Sequence, residues 1–102
     1  MGVLNDSTVS DAVVVWTGWR HSAWPDRNDE RLLATFGEEL GLDLLPVVRR
    51  LLDDFYASEA RFTVRDLVEM GDVAAEEFRA RHPEIDDEAV QALRWSYTFD
   101  YK

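Results

Sequence analysis

The sequence predicts a mainly α fold. One domain spanning residues 1–102 holds a compact bundle of about four helices, with an extended, aromatic-rich N-terminal segment packed near the C-terminal end. Three observations carry this. From residue 28 onward, apolar side chains recur at the 3.6-residue period of a helix rather than at the period of two of a strand. Capping residues and Gly or Pro breaks punctuate that pattern at helix-length intervals. The chain has 102 residues, 46% of them hydrophobic, which suffices for one core.

Residues 1–11 are small and polar and read as flexible. Ala12–Trp16 reads Ala-Val-Val-Val-Trp, a β-branched run that suits a short strand or extended segment. Thr17–Asn28 contains Gly18, Trp19, Trp24 and Pro25 and reads as an irregular aromatic loop. The first helix starts at Asp26 or Asn28, both capping residues, and places Leu32, Leu33, Phe36 and Leu40 on one face. Gly41 is its natural stop, with Gly37 an earlier one. In the second helix Asp43 caps, Pro46 sits in the first turn, and Leu44, Leu45, Val48, Leu51, Leu52, Phe55 and Tyr56 form the stripe. Arg49–Asp53 and Arg50–Asp54 are spaced i,i+4 on its outer face.

Thr63-Val64-Arg65-Asp66 resembles a capping box with Asp in place of Glu. Behind it runs a stripe of Val64, Leu67, Val68, Gly71, Ala74, Ala75 and Phe78, whose small middle lets another helix approach closely. His82-Pro83 ends this helix, because a residue before Pro resists the helical region. Asp86 caps the last helix, with Ala89, Val90, Leu93 and Tyr97 facing one way and Trp95 and Phe99 the other. Trp95–Lys102 alternates aromatic and polar residues, which also suits a strand, and the expectation is helix to about Tyr97 with an extended end. Two large aromatics on an outer face need cover, so Val13–Trp19 is expected beside residues 93–101. The expected core is Leu33, Phe36, Leu44, Val48, Leu51, Leu52, Phe55, Leu67, Val68, Phe78, Val90 and Leu93.

Eleven basic residues face twenty-one acidic ones, a net charge of −10 spread along the chain. Such a surface repels phosphate, so neither nucleic acid nor an anionic membrane is an expected partner. No run of about 18 apolar residues exists to span a bilayer. The absence of cysteine excludes disulfides, thiol nucleophiles and Cys-type zinc sites. His21 and His82 are the only histidines, and no HExxH pattern or calcium loop contains them. The acidic pairs diverge by about 100° on a helix and do not chelate as pairs. Ser22 beside His21 lacks the facing geometry of a triad, and no G-x-S-x-G elbow or Gly-rich phosphate loop is present. No cofactor and no catalytic residue is therefore assigned. The N-terminus lacks the charged and apolar regions of a signal peptide, and Asp6 stands where a myristoylation motif starting at Gly2 needs Ser or Thr. The expected location is the cytoplasm.

The most unusual stretch is Trp16–Pro25, with three of the four tryptophans plus Arg20 and His21. It reads chiefly as a cover that finishes a small core, because an exposed patch of that size is uncommon on a soluble chain. It also reads as a recognition loop, since Trp and Arg dominate binding hot spots. The candidate partner- or ligand-binding residues are Trp16, Trp19, Arg20, His21, Trp24, Trp95 and Phe99. The expected function is a non-catalytic protein–protein interaction module of regulatory, inhibitor-like or accessory kind. Its partner would be a basic protein or a second copy of the chain. The alternative is a small-molecule binder or enzyme using residues 16–25. A deep pocket lined by Trp19, Arg20, His21 and Trp24 favours that alternative, and a flat face favours the partner. The purified protein is expected to show no salt-sensitive affinity for duplex DNA or RNA in a titration at micromolar concentration.

Overall fold

Asn5, Asn28, Asp66 and Asp86 each accept a hydrogen bond on the side chain from the backbone N–H three residues further on. These caps open four of the helices in the computed structural model, which describes residues 4–102. The helices are α1 (Asp6–Thr17), α2 (Asp29–Phe36), α3 (Glu38–Tyr56), the single turn α4 (Ala60–Thr63), α5 (Leu67–Arg81) and α6 (Asp87–Asp100). The fold is mainly helical, and no strand occurs among the described residues.

The expectation of a flexible 1–11 and an extended 12–16 is overturned by α1; residues 1–3, Gly2 included, lie outside the described residues. The Asn5 side chain accepts from Thr8 N–H at 2.8 Å and starts the helix six residues before the β-branched run. Val9, Ala12, Val13 and Trp16 are spaced i, i+3, i+4, i+7 and are all buried. Packing of that face outweighs the few tenths of a kcal/mol by which each Val disfavours helix.

Gly37, with φ of +87°, ends α2 and begins α3. Gly41 is therefore not a stop but a buried residue of α3, and a Cβ there would lie 2.9 Å from Leu33 Cα. The α2–α3 hairpin closes at that point because the side chain is missing. Asp43 is not a cap, and Pro46 is interior to α3. Pro46 and Leu42, four residues before it, are exposed, so water can satisfy the carbonyl that Pro46 leaves without a donor. Arg49 reaches across to Asp29 at 2.8 Å instead of along the helix to Asp53, and Asp54 meets His82 Nε2 at 2.9 Å.

Asp66, not Thr63, caps α5, and the helix runs unbroken through Gly71. Gly71, Ala74 and Ala75 are buried. A Cβ on Gly71 would sit 2.8 Å from Arg94 Nε and Thr98 Cγ2 of α6, so the two helices approach closely and run antiparallel. The C-terminus is not extended: α6 continues to Asp100. Helix α1 runs parallel to α6, fixed at two places. Asp86 N–H donates to Ser10 Oγ at 3.0 Å, and the Trp19 and Trp95 rings lie 5.3 Å apart.

The core centres on Phe55, whose ring lies 5.3 Å from Phe78 and 5.6 Å from Tyr97. Leu44, Val48, Leu51, Leu52, Val90 and Leu93 are buried around it, as expected, and Leu32, Met70 and Ile85 join them. Leu33 and Phe36 are only partly buried. Leu67 and Val68 are not core at all, being 36% and 62% exposed. They keep the helical phase of Ala74 and Phe78, but the first turn of α5 runs past the end of the helices it packs on.

Leu51→Ala is expected to cost about 2–5 kcal/mol in urea unfolding, through lost burial and a residual cavity. Ala74→Leu is expected to cost about 1–3 kcal/mol, because Ala74 is fully enclosed.

Candidate functional site

The last four carbonyls of a helix have no partner within it. In α1 each finds one in the following loop. Gly18, at φ of +82°, turns the chain so that its N–H and that of Trp19 bond the Val14 carbonyl at 3.2 Å. Arg31 Nε donates to the Val15 carbonyl at 2.6 Å. The Trp16 carbonyl accepts from Asn28 N–H at 3.0 Å and from an Arg31 terminal nitrogen at 3.1 Å. The Thr17 carbonyl accepts from Asp26 N–H at 3.1 Å. The other side of the Arg31 guanidinium pairs with Asp26 at 2.5 Å. Residues 18–28 are thus wound onto the end of α1.

This folding gives the sequence candidates different environments. Trp16 is buried at 2% exposure, and its indole N–H donates to Asp29 at 2.8 Å. Trp19 is partly buried against Trp95, and its own indole N–H is buried with no acceptor in reach. Arg20 is exposed at φ of +64°, with its guanidinium 6.0 Å from the Trp19 ring. His21 is exposed, and Trp24 is 63% exposed. Phe99 is 38% exposed, with Lys102 Nζ 4.3 Å above its ring. Trp19 is the member with neighbours among the seven: Trp95 and Arg20 lie against its ring, and His21 shares a recess with it. A recess of about 240 Å³ takes in Trp19 and His21 with Val14, Val15, Arg31 and Thr35, but neither Arg20 nor Trp24. It is smaller than the roughly 300–1,000 Å³ of ordinary ligand pockets.

Beside the loop, Tyr56 reaches α6. Its hydroxyl donates to Asp100 at 2.6 Å and lies 3.0 Å from Ser96 Oγ, while Arg27 pairs with Asp100 at 3.3 Å and stacks 5.5 Å from the Tyr56 ring. Burial, and then the Asp100 carboxylate, push the Tyr56 hydroxyl well above the usual tyrosine range. It remains a neutral donor, which suits a clamp between α3 and α6 and not a base. Among the described residues no three His, Asp or Glu side chains gather to hold a metal ion.

A feature that the sequence reading missed lies at the other side of Tyr56. The turn α4 is held from within by a dense set of bonds. Arg61 N–H donates to Tyr97 Oη at 3.0 Å, and that hydroxyl donates to the Ser58 carbonyl at 3.1 Å. The Arg61 guanidinium donates to the Tyr56 carbonyl at 2.8 Å and the Ser58 carbonyl at 2.6 Å. It also lies between two rings, 4.5 Å from Phe62 and 5.0 Å from Tyr101. Phe62 is nonetheless 75% exposed. Antiparallel packing puts the first turn of α5, with Leu67 and Val68, at the same end as the last turn of α6, with Phe99 and Tyr101. Arg94 links the two, donating to the Val68 carbonyl at 3.0 Å and to Asp72 at 3.2 Å. Among the described residues, five of the seven exposed large apolar side chains, Phe62, Leu67, Val68, Phe99 and Tyr101, therefore collect at one end of the bundle. No pattern in the sequence announced this, since a one-turn helix has too few residues to show a period.

No family model, curated protein or solved structure matches the chain. Arg31→Ala is expected to cost about 1.5–3 kcal/mol, because it strips charged donors from partly buried carbonyls. It should also raise acrylamide quenching of Trp19 as the loop loosens.

Proposed function

We propose that the protein is a non-catalytic protein-binding module, and that its partner docks on the end formed by α4, the first turn of α5 and the last turn of α6. The observation that carries this is Phe62: a rigidly braced turn presents a large apolar ring to solvent. An anchor already fixed in place loses little entropy when a partner covers it. Phe62, Val68 and Tyr101 supply the apolar centre, and Arg61, Arg65 and Lys102 supply a polar rim of the kind that surrounds binding hot spots. The recess that takes in Trp19 and His21 holds about 240 Å³ and does not include Arg20 or Trp24, which favours a face over a pocket built from that loop.

One observation favours the second reading, small-molecule binding at residues 16–25. Trp19, whose buried indole N–H has no partner, lines the recess together with His21 and Arg31. Calorimetric titration with a panel of small carboxylates and carbonyl compounds checks it, with Trp19→Phe expected to abolish any heat that the site produces.

For the leading reading the test is comparative. Phe62→Asp should leave thermal stability within about 0.5 kcal/mol of the parent, as exposed substitutions do. Proteins recovered on immobilised parent chain should be lost on immobilised Phe62→Asp. Equal recovery on both would place the docking surface elsewhere.

A further inference from the structure

We infer that the partner is a second copy of this chain, joined through a two-fold interface at the α4–α5–α6 end. The inference rests on the reading of that end as the docking surface, and charge supplies its occupant. Residues 58–72 and 94–102 carry five acidic and four basic side chains, a net of −1, and the rest of the chain carries the remaining −9. A basic partner would be drawn to the −9 body and gain little at the near-neutral apolar end.

A second copy fits that end on both counts. In a two-fold interface the same patch meets itself, so it must carry both signs to be self-complementary. Here it does. Glu59, Arg65 and Glu69 are exposed and take part in none of the ion pairs among the described residues. A two-fold axis lets Arg65 of each copy meet a carboxylate of the other while Phe62 and Val68 pack across the centre. The same arrangement keeps the two −9 bodies as far apart as the molecule allows.

This geometry fixes the sign of the salt dependence. The attraction is apolar and local, and the opposing force is long-range repulsion between like-charged bodies. Salt screens the second and spares the first, so the dimer should tighten as salt rises. A complex with a basic partner would loosen.

Sedimentation equilibrium on the full chain tests the inference at about 10 mM and about 100 mM NaCl, between which the screening length falls from about 30 to about 10 Å. The expected species has twice the 11.8 kDa chain mass. Its dissociation constant should fall severalfold with the added salt. Phe62→Ala should weaken it at least about tenfold and Phe62→Asp more, with circular dichroism unchanged. Leu42→Ala, an exposed apolar position in α3, should leave it unaltered. A chain still monomeric at about 1 mM, where the weakest specific contacts register, overturns self-association. That result leaves the protein-binding reading to stand or fall on the Phe62→Asp recovery experiment. A dimer indifferent to both Phe62 variants overturns the surface, and a dimer that loosens with salt overturns the charge argument.

Discussion

The C-terminus of α1 is the constraint on which the rest of this small fold depends. Four carbonyls end there, partly buried, and each costs on the order of 1–3 kcal/mol if left unpaired. The loop meets that demand with its own backbone at Gly18, Trp19, Asp26 and Asn28, and Arg31 completes the set. One arginine therefore couples the end of α1, the loop and the first turn of α2. Its positive charge also lies at the negative end of the α1 dipole, where no other basic side chain stands in the last turn. Once this knot is tied, Trp16 faces Asp29, Trp19 faces Trp95, and Arg27 reaches Asp100.

Much of this organisation is legible in the sequence, and the failures have physical causes. Asn28 and Asp86 are readable as caps because capping is a local interaction within four residues. The stripe from Leu44 to Phe55 is readable because a long helix repeats its signal several times. The N-terminal helix was obscured by three consecutive Val residues, whose local preference points to a strand while their burial belongs to a helix. Gly41 and Pro46 look like punctuation, yet one is a point of close approach and the other faces water. Periodicity shows which residues share a face but not where that face runs out of neighbours, and so it wrongly places Leu67 and Val68 in the core. The aromatic loop is conspicuous in composition, whereas Phe62 has nothing around it in sequence that marks it.

The two ends of the apolar inventory now separate by environment. Trp16, Phe55, Phe78 and Tyr97 are buried and satisfied inside the molecule: the Trp16 indole N–H donates to Asp29, and the Tyr97 hydroxyl accepts from Arg61 N–H and donates to the Ser58 carbonyl. Phe62 and Val68 lie largely in water, Phe62 with the Arg61 guanidinium against its ring, while Tyr101 is half covered by Tyr97 and Tyr56. Arg61 is the hinge between these regimes: its guanidinium seals carbonyls below and stacks on exposed rings above. Substituting it would therefore disturb a fold element and a surface at once, which makes Phe62 the cleaner probe of the surface.

The parallel pairing of α1 with α6 has a consequence for how the chain reaches its structure. The Ser10–Asp86 and Trp19–Trp95 contacts both join residues 76 apart in sequence. Closing a loop of that size costs entropy before any apolar contact offsets it, and such long separations slow folding relative to bundles built from neighbouring helices. The α2–α3 and α5–α6 hairpins can form early from local contacts. Helix α1 cannot bury Val13 and Trp16 on equal terms until α6 exists. During synthesis α1 therefore waits for α6 to be made, with the Val13 and Trp16 face only partly covered by α2 and α3, and the docking of α1 on α6 follows the two hairpins.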